Sequence, residues 1–131
     1  MGDRSCAAII EKGRILMVRQ TYRGQTFWTL PGGRIEPSES PLQCAIRETK
    51  EETGLEIAVL EKICERFSDR INGVYHCYLG KVIGGVAELG TDPELPATLQ
   101  ELHELRWFPV EEMASHPEVG HIRAFLQNHI P

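Results

Sequence analysis

The chain has 131 residues, 41% of them hydrophobic and 25% charged, and a formal net charge of −5. These are the proportions of one ordinary globular domain over residues 1–131, large enough for a single core. An acidic balance with no basic cluster excludes duplex nucleic acid as the main partner, and no apolar run is long enough for a membrane span.

From the N-terminus, Met1-Gly2-Asp3-Arg4 holds no apolar signal core, and Cys6 stands where a myristoylation motif needs Ser or Thr. Ser5–Glu11 alternates weakly and predicts a strand, followed by a turn at Lys12-Gly13. Arg14–Gln20 carries the apolar run Ile15-Leu16-Met17-Val18 of a buried strand. Thr21–Gln25 reads as a polar loop, and Phe27–Leu30 as a short strand stopped by Pro31-Gly32-Gly33. The next segment is a helix with clear ends. Ser40 suits the N-cap, Pro41 the first turn, Gln43 the reciprocal position of a capping box, and Gly54 the C-terminal cap. Leu42, Ala45, Ile46, Thr49 and Thr53 form its core-facing stripe. Glu56–Phe67, with a bulge, and Gly73–Ile83 read as strands, Thr91–Thr98 as a loop, and Glu101–Phe108 as a strand. A short helix over Val110–Ser115 precedes a C-terminal helix over Pro117–Asn128, whose apolar stripe is Val119, Ile122, Phe125 and Leu126. This order of elements predicts an α/β or α+β domain. The four cysteines, at 6, 44, 64 and 77, include no Cys-x-x-Cys pair, which argues against zinc and against a disulfide scaffold. A reduced, cytoplasmic compartment is the expected location. The sequence leaves the oligomeric state open, a homodimer included.

The densest chemistry lies between Gly33 and Leu55. Glu48, Glu51 and Glu52 fall at helical spacings of three and four residues. Three acids on one stripe repel one another unless a cation joins them. Oxygen donors select a hard cation, Mg²⁺ or Mn²⁺, and such cations accompany phosphates. Gly32 and Gly33 allow close approach of the backbone to a ligand.

The stretch Gly33, Glu39, Arg47, Glu48, Glu51, Glu52, Gly54 and Leu55 resembles the Nudix box, the signature of the Nudix hydrolases, and the approach Trp28-Thr29-Leu30-Pro31-Gly32 is similar to that family as well. At ~7% usage per residue, seven fixed identities coincide by chance with odds on the order of 10⁻⁸ per starting point. The one departure is Thr49, where a bulkier apolar residue is usual. The resemblance implies an α/β/α sandwich with a mixed β-sheet between helices. It implies that Glu51 and Glu52 are metal ligands, that the Gly32 carbonyl is another, and that Glu48 is either a ligand or the general base. Arg47 is implied to pair with Glu39 and position the loop. Gly54 is expected to be a cap only. Glu36, Glu101 and Glu104 are weaker candidates for an added ligand or base. Cys44 is expected to pack, and His76, His103 and His121 have no metal-ligand spacing.

The activity implied is attack of water on a phosphoanhydride of a small nucleoside diphosphate derivative. The short single domain is most similar to the MutT-type nucleoside triphosphate enzymes. ADP-ribose or a nucleotide sugar is the alternative, although the proline of ADP-ribose hydrolases is missing around Asp69-Arg70-Ile71. The tyrosine of diadenosine-polyphosphate hydrolases is not clearly placed either, and Tyr75 lies a few residues beyond. A nucleotide-sensing module without catalysis is the reading from another class, disfavoured by the intact acids. Candidate substrate contacts are Arg4, Arg19, Tyr22, Arg23, Phe27 and Arg70, because arginine matches phosphate geometry and an aromatic ring stacks on a base.

Overall fold

Cys6, Ala7, Ala8 and Ile9 are each exposed by 4% or less, and the strand that contains them is the axis of the fold. The computed structural model describes residues 2–91 and 101–129. Its strands are β1 (Arg4–Glu11), β2 (Arg14–Tyr22), β3 (Gln25–Thr29), β4 (Gly32–Arg34), β5 (Leu55–Ser68), β6 (Gly73–Gly85) and β7 (Leu102–Pro109). The helices are α1 (Pro41–Thr53) and α2 (Pro117–His129). The strands join in one mixed sheet of order β3-β2-β1-β6-β5, with β4 added on β1 and β7 on β2. β1 runs parallel to β6 and antiparallel to β2 and β4.

Side chains alternate across a strand, so β1 feeds two cores. Cys6 and Ala8 join Ile15, Met17, Val119 and Ile122 beneath α2. Ala7 and Ile9 join Leu16, Ala45, Leu55, Ile57 and Tyr78 beneath α1. The sheet is thus covered by a helix on each side, as the α/β/α expectation required. Among the described residues, no helix is long and apolar enough to cross a membrane.

Several local readings are corrected. Thr21–Gln25 is not a loop: Tyr22 pairs with Gln25, and Arg23-Gly24 turn between them with φ of 52° and 78°. Two successive positive φ values give the tight hairpin whose twist matches its strands. Gly32-Gly33 do more than stop a strand, because they belong to β4 and pair with Cys6 and Ser5. The stripe of α1 also shifts: Leu42 is 40% exposed, whereas Cys44 is fully buried. The cause is β4 itself, whose Gly33 and Arg34 carbonyls lie 3.6 and 3.4 Å from the Cys44 Sγ. β5 carries not one irregularity but three shifts of register against β6. Val110–Met113 is a 3₁₀ turn rather than a helix to Ser115. The loop expected at Thr91–Thr98 lies, after Thr91, outside the described residues.

Thr49 is fully buried, and its hydroxyl has no hydrogen-bond partner among the described residues. A buried polar group left unpaired costs about 1–3 kcal/mol. Thr49→Val keeps the shape and removes the hydroxyl. Its denaturant midpoint should rise with turnover unchanged; a lower midpoint would show that the hydroxyl has a partner in solution.

Candidate active site

The ends of α1 fix where its acids point. The Ser40 Oγ accepts from the Gln43 N–H at 3.1 Å, and the Gln43 Oε1 accepts from the Ser40 N–H at 2.8 Å, a closed capping box. Gly54 ends the helix at φ 76° and donates its N–H to the Lys50 carbonyl at 3.0 Å. The Ser5 Oγ donates to the Pro41 carbonyl at 2.7 Å and ties the start of the helix to β1.

Arg47 holds the loop on the helix. Its Nε and Nη2 fork onto the two oxygens of Glu39 at 2.9 and 2.6 Å. Its Nη1 donates to Glu48 and to Glu51, both at 3.0 Å, and its Nη2 also reaches the Arg34 carbonyl at 3.3 Å. Glu39 further accepts from the Glu36 N–H at 3.0 Å. The Arg47 hydrogen bonds hold the Glu39 carboxyl down at about 2, and Glu39 in turn raises the pKa of Arg47. The expected Arg47–Glu39 pair is therefore present, and Glu36 stands 3.8 Å from the same guanidinium.

Glu48 and Glu52 turn the other way, toward β4. The Gly32 N–H donates to Glu52 at 3.3 Å. A Cβ built on Gly33 would stand 2.6–2.9 Å from the Glu48 carboxyl, so only glycine leaves that carboxyl its place. Burial, and then the hydrogen bond and charge of Glu48, push the Glu52 carboxyl up to about 9. The positive charge of Arg4 opposes this only weakly. Two half-buried carboxyls thus lie together beside β4. Their hard oxygens beside backbone glycines suit a divalent ion such as Mg²⁺. Glu51 does not join them: its side chain is 58% exposed and contacts Arg47. Accordingly, no three acidic, His or Cys side chains are grouped to hold a metal ion among the described residues.

The other predicted residues are dispersed. Arg4 alone acts on the acid pair. Tyr22 and Phe27 share one face of the β2–β3 hairpin and are 51% and 38% exposed. Arg23 stacks on Tyr22 with 5.3 Å to the ring centre. Arg19 lies on the opposite face and meets Glu104 at 3.4 Å, while Arg106 occupies the other Glu104 oxygen. Glu104 is thus engaged by two arginines, Glu101 is exposed, and Arg70 sits in the β5–β6 turn.

A second polar network escaped the sequence. The Glu118 Oε1 accepts from the Thr29 Oγ1 at 2.7 Å and the Leu30 N–H at 3.2 Å. Its Oε2 accepts from the Tyr75 hydroxyl at 2.5 Å, and that hydroxyl lies 2.8 Å from the Cys6 Sγ. These residues lie far apart in the chain. The only local signal is an acid in the first turn of α2, which also serves as an ordinary match to the helix dipole.

Residues 3–128 match the family model of the NUDIX domain. The chain is 32% identical to the bis(5'-nucleosyl)-tetraphosphatase [asymmetrical] of Sus scrofa, over 97% of this chain and 92% of that protein. It is 31% identical to the CTP pyrophosphohydrolase of Escherichia coli, over 85% of this chain and 78% of the relative. The structure of a MutT NUDIX hydrolase from Burkholderia pseudomallei superposes with a TM-score of 0.69 at 25% identity, covering 85% of each chain. With the box residues gathered on α1 and β4 and the family model spanning nearly the whole chain, this protein belongs to the Nudix hydrolases, the pyrophosphohydrolases that act on phosphoanhydrides.

Proposed function

We propose that the chain works as a single Nudix hydrolase domain that cleaves a nucleoside polyphosphate of three or more phosphates within its phosphate chain. The observation that carries this reading is the Glu48–Glu52 carboxyl pair lodged against Gly32 and Gly33. The names of the two relatives, a tetraphosphatase and a CTP pyrophosphohydrolase, support the substrate class.

The family is typically dependent on a divalent metal. Glu48, Glu52 and the Gly32 carbonyl would hold Mg²⁺ or Mn²⁺ here, with Glu51 joining once it leaves Arg47. When bound, such an ion polarises a phosphoryl oxygen and lowers the pKa of coordinated water. Glu48 is also the carboxylate in place to take the proton of the attacking water. Arg47 fixes one Glu48 oxygen and so sets the direction of the other. Arg4, beside the pair, offers its guanidinium to the phosphate chain. Tyr22 and Phe27 offer faces for a base, while Arg19 and Arg70 serve the phosphates or lie outside the bound nucleotide. No Ser or Cys is needed as a nucleophile.

The test is a panel of nucleoside triphosphates, dinucleoside tetraphosphates, ADP-ribose and nucleotide sugars, with Mg²⁺ or Mn²⁺, read by product chromatography in ¹⁸O-water. A triphosphate should give monophosphate and pyrophosphate, and a tetraphosphate should split unequally. ADP-ribose and nucleotide sugars should be turned over more slowly. Tight binding of nucleotides without any cleavage would replace this reading by that of a sensing module.

Two further outcomes follow from the glycines and the acid pair. Gly33→Ala pushes only on the Glu48 carboxyl, the flexible end of a side chain, so it should lower turnover with little change in stability. Gly32→Ala meets the Ser5 carbonyl and, at 2.7 Å, the Cys6 backbone, so it should destabilise the fold. Equal effects of the two on melting would remove the distinction. In metal-free protein, the raised Glu52 pKa favours folding below its ordinary value of 4.5, and that contribution is lost as pH rises toward about 9. A cation takes the place of the proton, so the melting shift between EDTA and millimolar Mg²⁺ should grow from about pH 5 to about pH 9. At a hundredfold excess over Kd the stabilisation reaches about 2.7 kcal/mol. Identical midpoints at the alkaline end would argue against a site that binds metal without substrate.

A further inference from the structure

Three of the four cysteines lie far from Cys44 and form a row. Cys6 on β1 stands opposite Cys77 on β6, and Cys77 stands opposite Cys64 on β5. All three belong to the core beneath α2. Both neighbours, with burial, push the Cys77 thiol well above its ordinary pKa. A row across three strands is not a metal cage. Strands are ~4.8 Å apart, so the outer sulfurs cannot both approach one ion at the ~2.3 Å of a zinc–sulfur bond.

We propose that Cys64 and Cys77 are an oxidisable thiol pair that closes a cross-strand disulfide between β5 and β6 on exposure to a hydroperoxide. Cys64 and Cys77 are opposed directly after the register shift at Lys62/Cys64, and opposed residues of antiparallel strands have Cα atoms about 4.5–5.5 Å apart, inside the range of about 4.4–6.8 Å that a disulfide spans. Access selects this pair over Cys6–Cys77: Cys6 and Cys77 are 4% and 2% exposed, whereas Cys64 is only half-buried. The Tyr75 hydroxyl also occupies the Cys6 sulfur. Neighbouring Cys77, with the charges of Arg66 and Lys62, lowers the Cys64 thiol below its ordinary pKa, which favours the nucleophilic thiolate. Cys44 is the internal contrast, since burial pushes its thiol up to about 12.

The chemistry balances. The Cys64 thiolate attacks one oxygen of the hydroperoxide, the O–O bond breaks, and a sulfenic acid forms with loss of water or an alcohol. The Cys77 sulfur then displaces hydroxide from Cys64, which leaves as water with the Cys77 proton. Two thiols lose two electrons in all, and one peroxide gains them.

The test treats the full chain with hydrogen peroxide, blocks the remaining thiols and maps peptides without reduction. The expected product has lost two hydrogens, contains a Cys64–Cys77 linkage and reverts with dithiothreitol, while Cys44 remains open to alkylation after unfolding. In Cys77→Ser, Cys64 should be trapped as its sulfenic acid by dimedone; in Cys64→Ser, neither linkage nor adduct should form. Wild-type protein that gains only oxygen, links Cys6 to Cys77, or carries dimedone on a different cysteine overturns the proposal. The wild-type map decides the matter even where a serine variant folds poorly.

Discussion

Glu52→Gln should lower kcat by about 100-fold or more, the scale of removing one electrostatic stabiliser from a reacting centre. The fold should survive it. Gln keeps the volume and still accepts the Gly32 N–H that lies 3.3 Å from Glu52. It also removes the carboxyl whose ionisation burial and Glu48 oppose, and its amide can donate to the Glu48 carboxylate. The metal-free variant should therefore melt no lower than the wild type, and it should lose the rise in midpoint on adding Mg²⁺. Near wild-type turnover at saturating Mg²⁺ would sink the ligand assignment. Glu51→Gln is the companion measurement. The expected loss is as deep as that of Glu52→Gln, because Glu51 leaves Arg47 and joins the metal during turnover. In the resting structure it removes only an exposed contact to Arg47, so a loss of several-fold at most would show that Glu51 stays where it lies and would take it out of the metal site.

The grouping of these acids was only partly legible. Spacings of three and four residues placed Glu48, Glu51 and Glu52 on one stripe. A helix turns ~100° per residue, which in fact divides the stripe. Arg47 and Glu51 lie ~40° apart, and so do Glu48 and Glu52, with the second pair rotated ~100° from the first. β4 lies against the second pair, and solvent against Glu51. The sequence alone does not say which side the β4 segment covers. For the same reason the apolar spacing misplaces Leu42, which is exposed, while Cys44 packs as its small size implies, closed over by the carbonyls of Gly33 and Arg34. The ends of α1 were legible because capping is local chemistry, satisfied within Ser40–Gln43 and at Gly54. Arg23-Gly24 was missed because the polar flanks of an exposed hairpin resemble a loop. Glu118 and Tyr75 were beyond reach, because the contact joins α2 to β6 and neither partner has a local pattern that names the other.

Arg47→Ala should lower turnover by tenfold or more and the melting midpoint by several degrees, because one guanidinium joins three carboxylates and a carbonyl. The Glu39 side chain is only 12% exposed and would lose both bonds of its fork. Glu48 would lose the donor that fixes one of its oxygens, so the direction of its other oxygen would no longer be set. The pH dependence separates this positioning role from a general loss of packing. In the wild type, Glu39 has a pKa of about 2 against an ordinary 4.5, so its pairing stabilises the fold above about 4.5 and is lost as pH falls toward 2. In the alanine variant that acid limb should flatten, because Glu39 returns toward the ordinary range. Arg47→Lys keeps the charge but not the planar fork, and should recover part of the acid limb and little of the turnover. A variant that loses stability equally at pH 7 and near pH 3 would make Arg47 a packing residue, and unchanged turnover would separate the loop it anchors from the work of Glu48.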